Sequence, residues 1–377
     1  MRIAQSKPHQ LPRRLNERIF MTGTLAPGST IGILGGGQLG RMLAVAAAQL
    51  GYRCHIYAPP GDNIACDVAA GATIAAYDDL DALKAFARAC DVVTFEFENV
   101  PVLPLKTIAR DVPIHPPLKA LEVAQDRVEE KEFVRRLGGK TARFAVARSE
   151  IELEDAIASV GTPAILKTIR MGYDGKGQVR IAGNSDLASA WRRVGAQPVI
   201  AEAIVSFDAE FSVILVRGAD GEIKYWDSPR NHHEDGILAT SSLPAGPLIE
   251  SQQVQARKMA AAVASALDYV GVLTCEFFAS GEGPLFNEIA PRVHNSGHWT
   301  IEGAETSQFE NHIRAICGLP LGSTATVAER VEMQNLIGKD GERWLQLLSD
   351  PAANVHLYGK AEARPGRKIG HVTRLYR

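Results

Sequence analysis

Two glutamates lie at equal distances from one glycine-rich turn. Residues 272–279 and 284–289 are β-branched and aromatic runs, separated by Ser280-Gly281-Glu282-Gly283. A three-residue loop at 281–283 centres a hairpin on residue 282 and sets Glu276 opposite Glu288. Directly opposed strand residues share a face, with Cβ atoms about 4.5–5.5 Å apart. Phe278 and Phe286 fall on that face and make it partly apolar, which sharpens the repulsion between the two charges. A hard divalent cation such as Mg2+ removes the conflict, because it takes oxygens from carboxylates and substrate phosphates together. Asn287 points to the opposite face in a regular strand, unless a bulge turns it. The plainer alternative is a solvated pair, or one carboxylate kept protonated. Paired carboxylates also suit glycoside hydrolysis.

A second constellation argues for phosphate chemistry instead. Lys167 ends an apolar run at 164–167, and Gly172-Tyr173-Asp174-Gly175-Lys176-Gly177-Gln178 follows. Three glycines and a lysine between strands make a flap whose N–H groups can fold over phosphates. It is not a Walker A loop, which needs Gly-Lys-Ser/Thr opening a helix; a surface hairpin is the alternative. Gly35-x-Gly37-x-x-Gly40 has the dinucleotide spacing, but the acid expected about 20 residues on is missing, since the next strand ends in Tyr57-Ala58-Pro59. That loop serves another phosphate or close helix–strand packing. His294 and His298 are spaced as helical metal ligands, yet Pro291 and Asn295-Ser296-Gly297 break a helix, which favours an anion-binding loop. His232-His233-Glu234-Asp235 reads as loop residues near a nucleotide, because sequential neighbours on a loop rarely converge on one ion.

The elements that must carry these residues alternate. Thr30–Leu34 is a strand, 41–50 a helix, 52–57 and 72–76 strands, 80–89 a helix and 92–97 a strand, which indicates a parallel sheet. One helix is expected over 118–137. Strands follow at 164–167, 179–181, 199–203, 210–216, 223–226, 272–279 and 285–289, with helices at 186–194, 252–267 and 309–316.

The chain has 377 residues, 46% hydrophobic and 22% charged, with 41 Lys+Arg against 43 Asp+Glu. That near-neutral balance argues against a general nucleic-acid binder. The basic surplus is local: six Lys/Arg against one acid from Tyr358 onward, suited to a small anion or simply a solvated tail. Five scattered cysteines without a C-x-x-C pair read as reduced core thiols of a cytoplasmic protein. No run approaches the roughly 20 apolar residues of a membrane span. The first 28 residues read as a disordered extension, or as sequence upstream of a start at Met21.

A strand ending in lysine, a glycine flap and two late metal carboxylates resemble the ATP-grasp superfamily. Gly35-Gly36-Gly37-Gln38-Leu39-Gly40-Arg41-Met42, the flap at 172–178, residues 287–299 and residues 364–371 narrow this to the N5-carboxyaminoimidazole ribonucleotide synthase family, over about Thr30 to His371. The fold so implied is α/β and α+β. A Rossmann-like parallel sheet at 29–120 precedes an ATP-grasp fold at 121–320 and a small β-rich unit at 321–377.

The resemblance implies a carboxylation of aminoimidazole ribonucleotide by ATP and bicarbonate through carboxyphosphate, with ADP and phosphate released. Arg127, Lys167 and the flap residues Gly172, Tyr173, Asp174, Gly175, Lys176, Gly177 and Gln178 would meet ATP. Glu202, Ala203, Ile204 and Val205 would read adenine, largely by backbone groups, and Glu210 would hold the ribose. His233, Asn287 and Glu288 would line the nucleotide site, and Glu276 and Glu288 would bind Mg2+. Tyr173, Asp174, Arg292, His294, Asn295 and Ser296 would meet the ribonucleotide, and Lys360 and Arg367 its phosphate. Asp174, Arg292, His294 and Lys360 carry the catalytic expectation. The hinge 202–205 varies in its side chains from the family's form, and Met171 replaces a small residue at the flap's entry. A homodimer is also implied. The rivals are an ATP-grasp ligase with another acceptor, a nicotinamide oxidoreductase using the first glycine loop, and a nucleotide sensor without catalysis.

Overall fold

A computed structural model describes residues 23–172, 177–183 and 186–377. The N-terminal part is a four-stranded parallel sheet in the order Gly71–Ile74, Arg53–Ala58, Thr30–Leu34, Val92–Phe95. Thr30–Leu34 and Val92–Phe95 are almost wholly buried, as the middle of a sheet covered on both faces must be. Their C-terminal ends lie side by side, where an open α/β sheet presents its binding crevice.

Two further sheets follow. A four-stranded antiparallel sheet runs Phe144–Ala147, Val199–Ala203, Ala164–Thr168, Gln178–Ile181. A nine-stranded sheet begins at the edge strand Gly283–Ala290, continues through Gly271–Ser280 and Ala209–Arg217, and ends at Lys368–Tyr376 and Ala353–Leu357. The C-terminal strands therefore join the central sheet: Ile237–Leu243 pairs with Arg330–Ile337. The 20-residue helix Pro247–Ala266 covers the strands that carry the glutamates, burying Ala256, Ala260 and Val263 against Phe211, Leu273 and Phe277.

The helix expected over 118–137 is two, Leu118–Ala124 and Arg127–Arg136. Gln125 caps the end of the first and Asp126 starts the second, its carboxylate accepting from the N–H groups of Val128 and Glu129. The interruption sets Arg127 at the first turn of a new helix, on the face that also carries Glu130 and Lys131. His232 and His233 lie on a strand, Arg230–Glu234, and not on a loop. Among the described residues, no helix is long and apolar enough to cross a membrane.

Candidate active site

The three sheets enclose a cavity of about 840 Å3, lined by residues of all three parts of the chain. The glutamate hairpin forms one wall, but its register is not the simple reflection the sequence suggests. Ser280 pairs with Gly283, Phe278 with Leu285 and Phe277 with Phe286, so the loop is the two residues Gly281 and Glu282. Beyond them Cys275 pairs with Ile289, so Glu276 alone opposes both Asn287 and Glu288. This is a β-bulge, and it turns both Asn287 and Glu288 into the cavity beside Glu276. Phe286 is thereby moved off the glutamate face. It packs edge-on to Phe277 in the core, at 5.8 Å between ring centres. Phe278 stays beside the cavity, stacked on Phe207 at 4.6 Å.

Burial, and then the charge of Glu288, push Glu276 above the ordinary carboxylate range. His294 stands 3.4 Å from Glu276 through Nε2, and Arg127 3.5 Å from Glu288. Among the described residues no three His, Cys, Asp or Glu side chains group to hold a metal alone. Two carboxylates of hard oxygen, already in conflict, instead fit a Mg2+ ion completed by phosphate oxygens and water.

Two lysines converge on Glu202. Lys167 donates to Glu202 at 2.9 Å, and Lys131 approaches the other Glu202 oxygen at 3.3 Å. Burial would raise Glu202, yet Lys131 and then Lys167 hold it at about 2. Its side chain therefore anchors lysines beneath the cavity. The next N–H groups are also used, Ala203 donating to Arg143 and Ile204 to Pro163, so neither is a donor to a base. Val205 lines a smaller, separate cavity with Lys140 and Asp208. Arg127 donates to the carbonyl of Gly172 at 3.1 Å, at the root of the flap. Met171 there has φ 63, a left-handed conformation that favours glycine. Gly177 has φ +70, and Gln178 lines the cavity. Tyr173, Asp174, Gly175 and Lys176 lie outside the described residues. Glu210 and His233 line the wall as a close pair; burial would lower the imidazole, but its bond to Glu210 raises it.

At the far end each basic group has a carboxylate or carbonyl already. Arg292 is held by Glu98, and burial of that carboxylate is outweighed by the guanidinium, which lowers it. Arg367 meets Asp62 at 2.5 Å and the Glu362 carbonyl at 3.1 Å. Lys360 donates to the Lys368 carbonyl at 2.7 Å, and burial, then Arg367, push it down to about 8. The loop 294–298 is fixed by Gln308, which accepts from His294 N–H at 2.9 Å and donates to its carbonyl at 2.6 Å. Ser296 is fully buried and bonds His294 Nδ1 and Ser212, so it positions the imidazole rather than facing the cavity. Asn295 lines the cavity with neither amide atom hydrogen-bonded. His298 is fully buried and packs against His371, with ring centres 4.7 Å apart and planes tilted by 37°.

The first glycine loop holds the chain's own carboxylate. Glu96 accepts from Gly37 and Gly40 at 2.7 and 3.1 Å, taking N–H groups that a dinucleotide pyrophosphate would need. A Cβ on Gly35 would stand 2.5 Å from Glu96. No local motif marks Glu96, Glu98, Glu130, Lys131 or Gln308 in the sequence. The α/β topology held a signal for the first two, because strand ends 34 and 95 are neighbours.

Three family models match the chain: a ribonucleotide synthetase preATP-grasp domain at 28–125, an ATP-grasp domain at 132–309, and a phosphoribosylaminoimidazole carboxylase C-terminal domain at 332–377. A relative from Brucella melitensis biotype 1, named N5-carboxyaminoimidazole ribonucleotide synthase, is 49% identical over 93% of this chain and 98% of its own length. The structure of N5-carboxyaminoimidazole ribonucleotide synthetase from Thermus thermophilus matches with TM-score 0.85 at 47% identity, over 92% and 93% of the two chains. An Aspergillus clavatus N5-carboxyaminoimidazole synthase, in complex with ADP and 5-aminoimidazole ribonucleotide, matches with TM-score 0.86 at 32% identity, over 93% and 94%.

Proposed function

The chain belongs to the N5-carboxyaminoimidazole ribonucleotide synthase family, ATP-dependent ligases of purine biosynthesis, and from that premise we propose how its residues divide the work. The reaction joins bicarbonate to the amine of 5-aminoimidazole ribonucleotide at the expense of ATP. One observation carries the assignment of roles. A single cavity holds a carboxylate pair and Lys167 at one end, and Arg292, Lys360 and Arg367 at the other.

At the first end Arg127 and Lys167 face the ATP phosphates, with the flap 172–178 closing over them. Glu210 and His233 take the ribose side. Bound Mg2+ would be held by Glu276 and Glu288, with Asn287 beside them, and would neutralise phosphate charge. A bicarbonate oxygen attacks the γ-phosphorus and ADP departs, leaving carboxyphosphate. The ribonucleotide amine attacks the carboxyl carbon, or CO2 released beside it, and phosphate departs. Catalysis is mainly positioning and charge stabilisation. His294, 3.4 Å from Glu276 and two residues from Arg292 of the second end, lies between the two ends, where the carboxyl group must pass. A neutral imidazole suits that place, since burial and then Arg292 hold His294 well below its ordinary value. Arg367 and Lys360 receive the ribonucleotide phosphate, Asn295 its polar edge, and Asp174 orients the amine.

The chain divides on this reading into units 29–120, 121–320 and 321–377, each contributing residues that line the cavity. A homodimer in the cytoplasm completes the proposal; five cysteines without disulfides support the compartment. Phosphate release from ATP and Mg2+ tests the reading. Both bicarbonate and aminoimidazole ribonucleotide should stimulate it, and a rate indifferent to the ribonucleotide would refute the acceptor.

A further inference from the structure

The carboxylate pair depends on a bulge, and the bulge has its own support. Gly283–Ala290 is an edge strand; among the described residues its outward side meets backbone at residues 140–141, where the Phe286 N–H donates to the Lys140 carbonyl at 2.9 Å, and no full strand pairs there. Buried backbone groups need partners all the same. Around Glu288 those partners come from two consecutive residues of the helix Arg127–Arg136. Glu130 accepts from the N–H of Ile289 at 2.6 Å, and Lys131 donates to the carbonyl of Asn287 at 3.2 Å. Both side chains belong to residues only 2% exposed. The two bonds bracket Glu288 on either side. The same lysine approaches Glu202, tying the edge strand to the sheet that carries Lys167.

We propose that Glu130 and Lys131 are positioning residues that clamp the bulge and so set the separation of Glu276 and Glu288 for a divalent cation bound with nucleotide. Glu130 is committed to the Ile289 N–H and Lys131 to the Asn287 carbonyl, so both act through the strand. An edge strand without the clamp could relax to regular pairing, which would turn Asn287 out of the cavity and shift Glu288 along the strand. The inference rests on the metal role given to the two glutamates above.

The test separates the two ideas. ADP affinity is measured by calorimetry with Mg2+ and with EDTA, and amide exchange is followed over 283–290, for wild type, Glu130→Gln, Glu130→Leu and Lys131→Met. Glu130→Gln keeps an acceptor for Ile289 and should stay close to wild type in both readouts. Glu130→Leu and Lys131→Met should lose about tenfold or more of the Mg2+-dependent gain in affinity, as loss of supporting groups around metal ligands does. Affinity in EDTA should be preserved, and the Ile289 amide should exchange faster. Glu130→Asp, which withdraws the acceptor but keeps the charge, gives the same contrast if the leucine variant does not fold. A folded variant that retains the full Mg2+ gain and the slow exchange overturns the clamp. A wild type whose ADP affinity ignores Mg2+ overturns the metal role instead, and faster Ile289 exchange in the variants would still support the clamp.

Discussion

At the nucleotide end of the cavity Glu276 faces Glu288 across a bulge, with His294 and Arg127 at 3.4 and 3.5 Å as their nearest basic groups. At the other end Arg292 and Arg367 are already paired, with Glu98 and Asp62. One end leaves like charges together and waits for a cation. The other is neutralised from within and must exchange a carboxylate for a substrate anion. A defect at the first end should act on turnover, because that is where the phosphoryl charge is stabilised. A defect at the second should weaken binding, because the resident carboxylates compete with the substrate already.

The largest effect should come from Glu288→Gln. Removing one element of charge stabilisation at the phosphoryl group should lower kcat by about 10²–10³-fold. Rates of phosphate release at saturating ATP and ribonucleotide measure it. A loss confined to the KM of ATP would break the comparison, since it would make Glu288 a binding group only.

Arg292→Ala should cost less and cost it differently. Hydrogen bonds to charged groups are worth about 1.5–3 kcal/mol, so the KM for ribonucleotide should rise about 10–100-fold. Steady-state kinetics with varied ribonucleotide read this directly. Glu98→Gln, which frees the guanidinium, sharpens the comparison in the same assay. Its KM should fall or hold, whereas an increase like that of Arg292→Ala would mean that Glu98 is itself part of the substrate site.

The sequence made the nucleotide end more legible than the other. Glu276 and Glu288 lie on one local hairpin, and reflection about residue 282 pairs them correctly although the loop is one residue shorter. Two offsets, the shorter loop and the bulge, cancel at that position. The bulge itself was not legible, because its support comes from Glu130, 159 residues before Ile289. Asp126 and Glu129 do stand at the spacing of a helix start, a signal that would have divided the long expected helix and set Arg127 at its beginning. At the other end Glu98 and Asp62 find their arginines 194 and 305 residues away. Such pairs follow from how the sheets are brought together, and no local spacing announces them. Likewise the first glycine loop keeps its fingerprint spacing while a carboxylate from the adjacent strand occupies it.

The smallest effect is a shift along the pH axis, and it tests whether internal neutralisation at the second end is complete. Lys360 donates to the Lys368 carbonyl, and its value of about 8 is set first by burial and then by Arg367. A lysine depressed in this way is a cation below that value and loses its charge as pH rises through it. The free enzyme's groups govern kcat/KM. The kcat/KM for ribonucleotide should therefore be level below about pH 8 and decline above it. Arginine stays charged over the whole range, so Lys360→Arg should keep a level profile to higher pH at a lower plateau, because its planar fork cannot reproduce the ammonium's contacts. A decline that is unchanged in Lys360→Arg would assign it to another group. A rise in wild type above pH 8 would mean that neutral Lys360 is the working form and acts as a base, and the second end would then leave one of its cations to be discharged rather than paired.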